Sequence, residues 1–199
     1  MKQLNIGFLA SHGGSNMQAV LDAISEGALH AKPCVLISNN SNSTAMERAK
    51  QFGMPAFHYS QKTHPDPEVL DQEILNTLRL YSVEYVLLVG YMKKLGPNTL
   101  QEYSGRIINI HPSLLPKYGG IGMYGSYVHE AVITNRDDET GVTIHLVDEE
   151  YDTGTIIAQC KVKVLEDDTV ESLSQTVLIK EHEFLVETLI KISNNEIIL

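Results

Sequence analysis

Tyr85-Val86-Leu87-Leu88-Val89 is the stretch on which the fold turns. No polar residue interrupts it, so both faces of the segment must be buried. Such a run marks a central strand of a parallel sheet covered by helices, not an alternating strand with one wet face. The apolar stretch ends at Met92, far short of what a bilayer crossing requires. Working outward, Pro67 to Tyr81 reads as a long helix, with Pro67 in its first turn and Leu70, Ile74, Leu75 and Leu78 facing inward. After the central strand, Pro97 opens a short helix and Ile107-Ile108-Asn109-Ile110 forms the next strand.

The same alternation runs from the start of the chain. Leu4 to Ala10 is a strand that ends in the glycine-rich Ser11-His12-Gly13-Gly14-Ser15-Asn16. A helix follows to about Glu26, with Met17, Val20, Leu21 and Ile24 on one face and Gly27 placed to stop it. Cys34 to Ile37 reads as a second strand, Thr44 to Gln51 as its helix, and Ala56 to Tyr59 as a short third strand. Val142 to Val147 and Thr155 to Val164 are two longer strands joined by an acidic turn, Asp148 to Gly154. Thr169 to Ile192 closes the chain as a helix. No repeat or linker divides residues 1–199, so a single domain is expected. Its class is α/β, an open, mostly parallel twisted sheet with helices on both faces. Ligands of such sheets gather at the carboxyl ends of the strands. Gly13–Asn16, Gly90–Lys94 and Asn109–Pro116 all follow a strand and should line one cleft.

Composition narrows the function classes. Of 199 residues, 43% are hydrophobic and 20% charged, as in an ordinary soluble globule. The formal net charge of −10 argues against DNA or tRNA as a partner, because nucleic acid calls for a basic face. No membrane partner is expected. The first four residues lead straight into a strand with no leader pattern. The two cysteines, Cys34 and Cys160, sit in strand-like segments and read as buried reduced thiols. The cytoplasm is the natural compartment.

Three constellations carry chemistry. Gly13-Gly14-Ser15-Asn16 stands at a strand-to-helix junction, where glycines let a phosphate approach and helix amides are free to receive it. It has neither the glycine spacing of a dinucleotide site nor the lysine of an ATP-type loop. The alternative is a tight turn with Ser15 or Asn16 as the helix cap. Asn109-x-His111 places an amide and an imidazole on one face of a strand end, and Pro112 holds His111 extended. Asp152 sits in the acidic turn, where Gly154 permits a sharp bend that aims its carboxylate into the cleft. Opposite His111 it should raise the imidazole's pKa and fix its orientation. Together these three side chains can polarise a carbonyl, hold an oxyanion and accept a proton from an amine. His145 reads as a supporting or core residue. His58, His64, His129 and His182 show no metal-ligand spacing, and no metal is expected. No Gly-x-Ser-x-Gly elbow is present, which disfavours a serine hydrolase.

The chain resembles the folate-dependent formyltransferases, and among them the phosphoribosylglycinamide formyltransferases (glycinamide ribonucleotide transformylases). The residues that carry this are Gly14 to Ala19 (GSNMQA), Gly90 to Leu95 (GYMKKL), Asn109 to Tyr118 (NIHPSLLPKY), Thr140 to His145 (TGVTIH) and Asp152-Thr153-Gly154. The resemblance implies a Rossmann-like formyltransferase fold and transfer of a formyl group from 10-formyltetrahydrofolate to the amine of glycinamide ribonucleotide. It makes Asn109, His111 and Asp152 the catalytic trio. It assigns Gly14, Ser15, Asn16, Pro112 and Glu181 to the ribonucleotide. Tyr91, Met92, Lys93, Lys94 and Leu95, with Val147, Asp148 and Glu149, fall to the folate. The phosphate-binding part would be about residues 1–100, the folate and catalytic part about 85–165, and the closing helix about 169–192. A homodimer is allowed.

Three positions depart from the family pattern. Ile121 stands where related long-loop sequences favour lysine, Pro67 where some members carry arginine, and Leu178 where several place a polar residue, with Lys180 close by. The alternatives are a sister enzyme acting on an amino sugar nucleotide or other amine, and a non-catalytic nucleotide-binding domain. A tRNA-directed member would be expected to add a C-terminal domain, and a deformylase an N-terminal one.

Overall fold

A computed structural model describes residues 2–199. The chain runs β1 (Leu4–Ala10), α1 (Ser15–Ser25), β2 (Ala31–Ser38), α2 (Thr44–Phe52), β3 (Ala56–His58), α3 (Pro67–Leu80) and β4 (Tyr85–Leu88). It continues through α4 (Pro97–Glu102), β5 (Ile107–His111), α5 (Ser126–Thr134), β6 (Glu139–Leu146), β7 (Ile156–Lys163) and α6 (Val170–Ser193). All seven strands form one sheet in the order β3-β2-β1-β4-β5-β6-β7. The first five are mutually parallel, and β6 and β7 add an antiparallel pair at one edge.

The apolar reading of β4 is explained by two cores. Leu87 packs into the cluster shared with α1, α2 and α6, while Val86 and Leu88 belong to the cluster under α3 and α4. Adjacent residues of one strand thus feed opposite faces, which is why no polar position could be tolerated there.

From β1 the chain winds outward to β3, then returns to the other side of β1 with β4. That reversal opens a crevice beyond the carboxyl ends of β1 and β4. The buried Ser11 hydroxyl ties its walls together. It donates to Asn39 Oδ1 at 2.6 Å and accepts from the Met92 amide at 2.7 Å.

Two local readings need correction. Ser126–Thr134 is a helix, although nothing beyond the loop was expected there; Val128 and Val132, spaced by four, are its wholly buried anchors. Within α3, Leu70 is only half-buried and Asp71 is buried beside it. The Asp71 carboxylate accepts the Asn98 and Thr99 amides and the Thr99 hydroxyl, so it caps α4 from another helix. Cys34 on β2 and Cys160 on β7 are free thiols. Among the described residues, no helix is long and apolar enough to cross a membrane.

Candidate active site

The site grows from the end of β5. Asn109 lies in register with His145 of β6, and its amide nitrogen stands 3.1 Å from His145 Nε2. His145 Nδ1 donates to the Leu146 carbonyl at 2.8 Å, which fixes the ring and turns Nε2 toward both Asn109 and Asp152. The contact sets the Asn109 amide against the His145 ring on one side and leaves a hydrogen of that amide for the cleft. His145 is a positioning residue for Asn109. That role depends on an antiparallel register that the sequence does not display.

His111 is held from its far side. Its Nε2 donates to the Tyr118 carbonyl at 2.7 Å, so Nδ1 is the nitrogen left to gain or lose a proton. Nδ1 faces Asp152 Oδ2 at 3.6 Å. The segment after β5 is rigid for reasons beyond its prolines. Thr143 Oγ1 donates to the Ser113 carbonyl and accepts from the Leu115 amide, while Gln159 donates to both Thr143 Oγ1 and the Leu115 carbonyl.

Asp152 sits between two histidines. Its Oδ1 lies 3.5 Å from His145 Nε2, and Oδ2 accepts the Gly120 amide at 2.9 Å. The chain bends at Gly154, as the sequence suggested, and it also turns at Asp152 itself, whose φ is 58°. Aspartate tolerates this left-handed region better than most residues, at a cost of about 1 kcal/mol. Gly154 is needed for a different reason, since a Cβ there would stand 1.9 Å from the Leu146 carbonyl oxygen. Within the turn, Asp148 Oδ1 accepts from the Thr153 hydroxyl and the Glu150 amide, bracing the loop that carries Asp152.

The charge state of His111 also departs from expectation. Burial lowers its pKa, and the opposing influences of the Asp152 carboxylate and the Tyr118 hydrogen bond do not overcome it. The free protein thus carries a neutral His111 above the ordinary histidine range. Burial pushes the Asp152 carboxyl up, but His145, His111 and the Gly120 amide outweigh it and leave the group below the usual carboxylate range. For both groups the folded state binds fewer protons than the unfolded chain. Their contributions to stability are therefore present at neutral pH and are lost as pH falls, for His111 below its ordinary value of 6.5 and for Asp152 below 3.8.

These side chains border a cleft of about 670 Å³ that also takes in Asn16, Pro112 and Glu181. Gly14 and Ser15 do not line it with side chains and instead form the turn into α1. Gly14 is the N-cap, at φ 64°, and no side chain caps the helix; Ser15 and Asn16 do not act as caps. The leading amides of α1 are left without a side-chain acceptor. A Cβ on Gly14 would also meet Ala45 Cβ at 2.8 Å. Glu181 is buried, which pushes its carboxyl up to about 8, with Asn16 acting in the opposite sense. At neutral pH it is mostly a protonated acid able to donate.

A narrow slot of about 70 Å³ adjoins this cleft and shares Asn109 and Asp152 with it. One wall is Tyr91 and Lys93 to Leu95, the other Val147 to Tyr151, and Lys94 spans the mouth to Glu150 at 3.4 Å. Met92 opens instead onto the main cleft. A larger cavity of about 1070 Å³ lies alongside, with Pro67 and Lys62 on its rim, but none of the trio reaches it. Leu178 lines the main cleft. Lys180 does not replace the missing polar group there, since its ammonium pairs with Glu183 at 3.1 Å. Ile121 is almost fully exposed on the rim. Among the described residues, no group of three or more His, Cys, Asp or Glu is placed to hold a metal ion.

Sequence reasoning missed the Tyr118 carbonyl, the Gly120 amide and His129, all of which belong to this site. Backbone partners leave no residue-type signal, and the helix carrying His129 was not foreseen.

Comparison with known proteins gives a consistent match. Residues 4–189 match the family described as formyl transferase. The chloroplastic phosphoribosylglycinamide formyltransferase of Arabidopsis thaliana is 38% identical over 187 residues, which is 94% of this chain and 64% of that protein. The chain spans 60% of the corresponding Vigna unguiculata protein, so it covers under two thirds of either chloroplastic relative. The phosphoribosylglycinamide formyltransferase of Bacillus subtilis is 38% identical over 175 residues, covering 88% of this chain and 87% of its own length. Among solved structures, glycinamide ribonucleotide transformylase 1 from Symbiobacterium toebii superposes with a TM-score of 0.91 at 33% identity, over 99% of this chain and 91% of that one.

Proposed function

The chain belongs to the formyl transferase family, and we propose that it transfers the formyl group of 10-formyltetrahydrofolate to the amine of glycinamide ribonucleotide in purine (IMP) synthesis. The observation that carries this reading is the convergence of Asn109, His111 and Asp152 on a cleft beside the uncapped N-terminus of α1. An anionic acceptor fits there, because helix amides and the local dipole favour a phosphate despite the chain's negative charge. In this reading Asn16, Pro112 and Glu181 hold the ribonucleotide, with the Gly14–Ser15 turn at its phosphate. The slot between Tyr91–Leu95 and Val147–Glu149 takes the folate. Leu88, Leu95, Leu100, Val147 and the half-buried Tyr91 give it an apolar floor for a flat aromatic ring system, and Asp148 and Glu149 give it polar partners. The enzyme is read as cytoplasmic, with these two small molecules as its partners.

The residues divide the chemistry between them. A C–N bond forms between the acceptor amine and the formyl carbon, and the carbonyl oxygen gains negative charge. Asn109 donates its free amide hydrogen to that oxygen. His111 enters neutral and takes up the amine's proton at Nδ1, directly or through water, because Nε2 is held by Tyr118. The resulting imidazolium faces Asp152, which stabilises it until the proton passes to the departing folate nitrogen as the second C–N bond breaks.

The test is an acceptor assay. Purified protein supplied with 10-formyltetrahydrofolate should turn over glycinamide ribonucleotide and not a 4-amino sugar nucleotide. The reverse preference would replace this reading with that of a sister enzyme, and no turnover of any amine would remove it. A second measurement addresses the phosphate end. Asn16 is nine-tenths buried and its Oδ1 has no partner among the described residues. Asn16→Ala should raise KM for the ribonucleotide about tenfold while KM for the folate stays within about twofold. Equal effects on both would assign the turn a structural role only.

A further inference from the structure

One histidine in the cleft has no part in the chemistry above. His129 lies in α5, is 4% exposed, and has a buried Nδ1 with no hydrogen-bond partner among the described residues. It lines the same cleft as Asn16, His111 and Glu181. Its neighbours Val128 and Val132 are buried apolar residues that need no further explanation. A polar ring with an orphaned nitrogen in that stripe does, because leaving a buried polar atom unpaired destabilises the fold.

The protonation of the ring follows from its surroundings. Burial and, secondarily, the nearby His111 both disfavour a charge, so the imidazole is neutral with one N–H and one lone pair. A sealed N–H without an acceptor is less tolerable than a sealed lone pair without a donor. The lone pair therefore sits on Nδ1 and the hydrogen on Nε2. With Nδ1 closed off, the ring can meet the cleft only through the edge that carries Nε2.

We propose that His129 is a recognition residue for the acceptor, donating its Nε2–H to a neutral oxygen between the acceptor's phosphate and its amine, a sugar hydroxyl or a carboxamide carbonyl. This rests on the reading of the cleft as the acceptor site. An uncharged donor adds little for a phosphate, which the α1 amides already suit, but it matches a neutral oxygen well. His111 cannot serve instead, since its Nε2 is held by the Tyr118 carbonyl and its Nδ1 is the nitrogen that takes up the amine's proton.

The experiment compares the wild type with His129→Leu, His129→Gln and His129→Asn, by steady-state kinetics in both substrates and by thermal melting. His129→Leu should raise KM for glycinamide ribonucleotide about tenfold and leave kcat and the folate KM within about twofold. Its Tm should be unchanged or higher, because the orphaned nitrogen is gone. His129→Gln, which carries an N–H near the same place, should recover most of the lost affinity. His129→Asn, whose amide is too short to reach, should not. A folded leucine variant with wild-type KM for the ribonucleotide would overturn the proposal, and so would a glutamine variant no better than asparagine. If the leucine variant fails to fold, the glutamine and asparagine variants decide it. Failure of the acceptor reading looks different, since the wild type itself would then not turn over the ribonucleotide, and the proposal falls with it.

Discussion

Asp152→Asn is expected to lower kcat about a thousandfold, with both KM values within about threefold of wild type. The substitution is nearly isosteric, so the Gly120 amide can still find an oxygen and the left-handed bend can persist, asparagine being as tolerant of it as aspartate. What disappears is the negative charge facing His111 at 3.6 Å and His145 at 3.5 Å. Burial already disfavours a proton on His111, and the carboxylate is the main force opposing that. Without it the imidazolium that must form as the amine attacks has no counter-charge. Two measurements check this. Steady-state kinetics give the fall in kcat, and proton-detected titration of the His111 ring should show its pKa lower still in the variant. A variant with wild-type kcat would remove Asp152 from the mechanism, and an unshifted or raised His111 titration would break the electrostatic link between the two. Because the residues act as a unit, His111→Ala combined with Asp152→Asn should cost little more than the worse of the two alone.

Gly154→Ala carries the largest expected effect on stability, about 3 kcal/mol, seen as a fall in Tm of roughly 10 °C. The φ of Gly154 is not the reason, and an alanine at this position would not be strained for conformational cause. The obstacle is the Leu146 carbonyl oxygen, 1.9 Å from where the new carbon would stand, with the Leu146 carbonyl carbon at 2.8 Å. Backbone atoms of a paired strand cannot step aside as a flexible side chain would. Leu146 also closes the ladder of β6, accepting at its carbonyl from His145 Nδ1, so displacing it disturbs the ring that orients Asn109. Activity should therefore fall together with Tm. Differential scanning calorimetry beside an activity assay tests both, and a variant that melts within about 2 °C of wild type would show that the close approach is relieved cheaply.

Much of this architecture is legible in local pattern. The unbroken apolar run of β4, the helix faces of α1 and α3, and the prolines that open α3 and α4 each follow from burial or backbone chemistry within a few residues. Asn109 and His111 can be paired because alternation along a strand is a local rule. Asp152 can be singled out from its acidic neighbours by the bend at Gly154, although the left-handed turn at Asp152 itself has no signal in the sequence. The remainder depends on contacts across the chain. Asp71 caps a helix two elements away, His145 orients Asn109 through a cross-strand register, and Tyr118 and Gly120 act through main-chain atoms that every residue possesses. The neutral state of His111 was hidden for a related reason, since burial is a property of the whole fold whereas the partner carboxylate could be guessed from a motif.

Tyr118 and Gly120 stand two residues apart, one gripping His111 by a carbonyl and the other gripping Asp152 by an amide. Neither of those backbone groups titrates, so across the working pH range the imidazole keeps one orientation and exchanges protons at a single nitrogen. The stretch between them is a clasp that closes over both halves of the acid–base pair. It also opens directly into the glycine-rich run from Gly120 to Gly125. Any displacement of that run pulls on the imidazole and the carboxylate at the same instant, so the posture of a surface loop and the proton inventory of the reacting centre are a single mechanical variable.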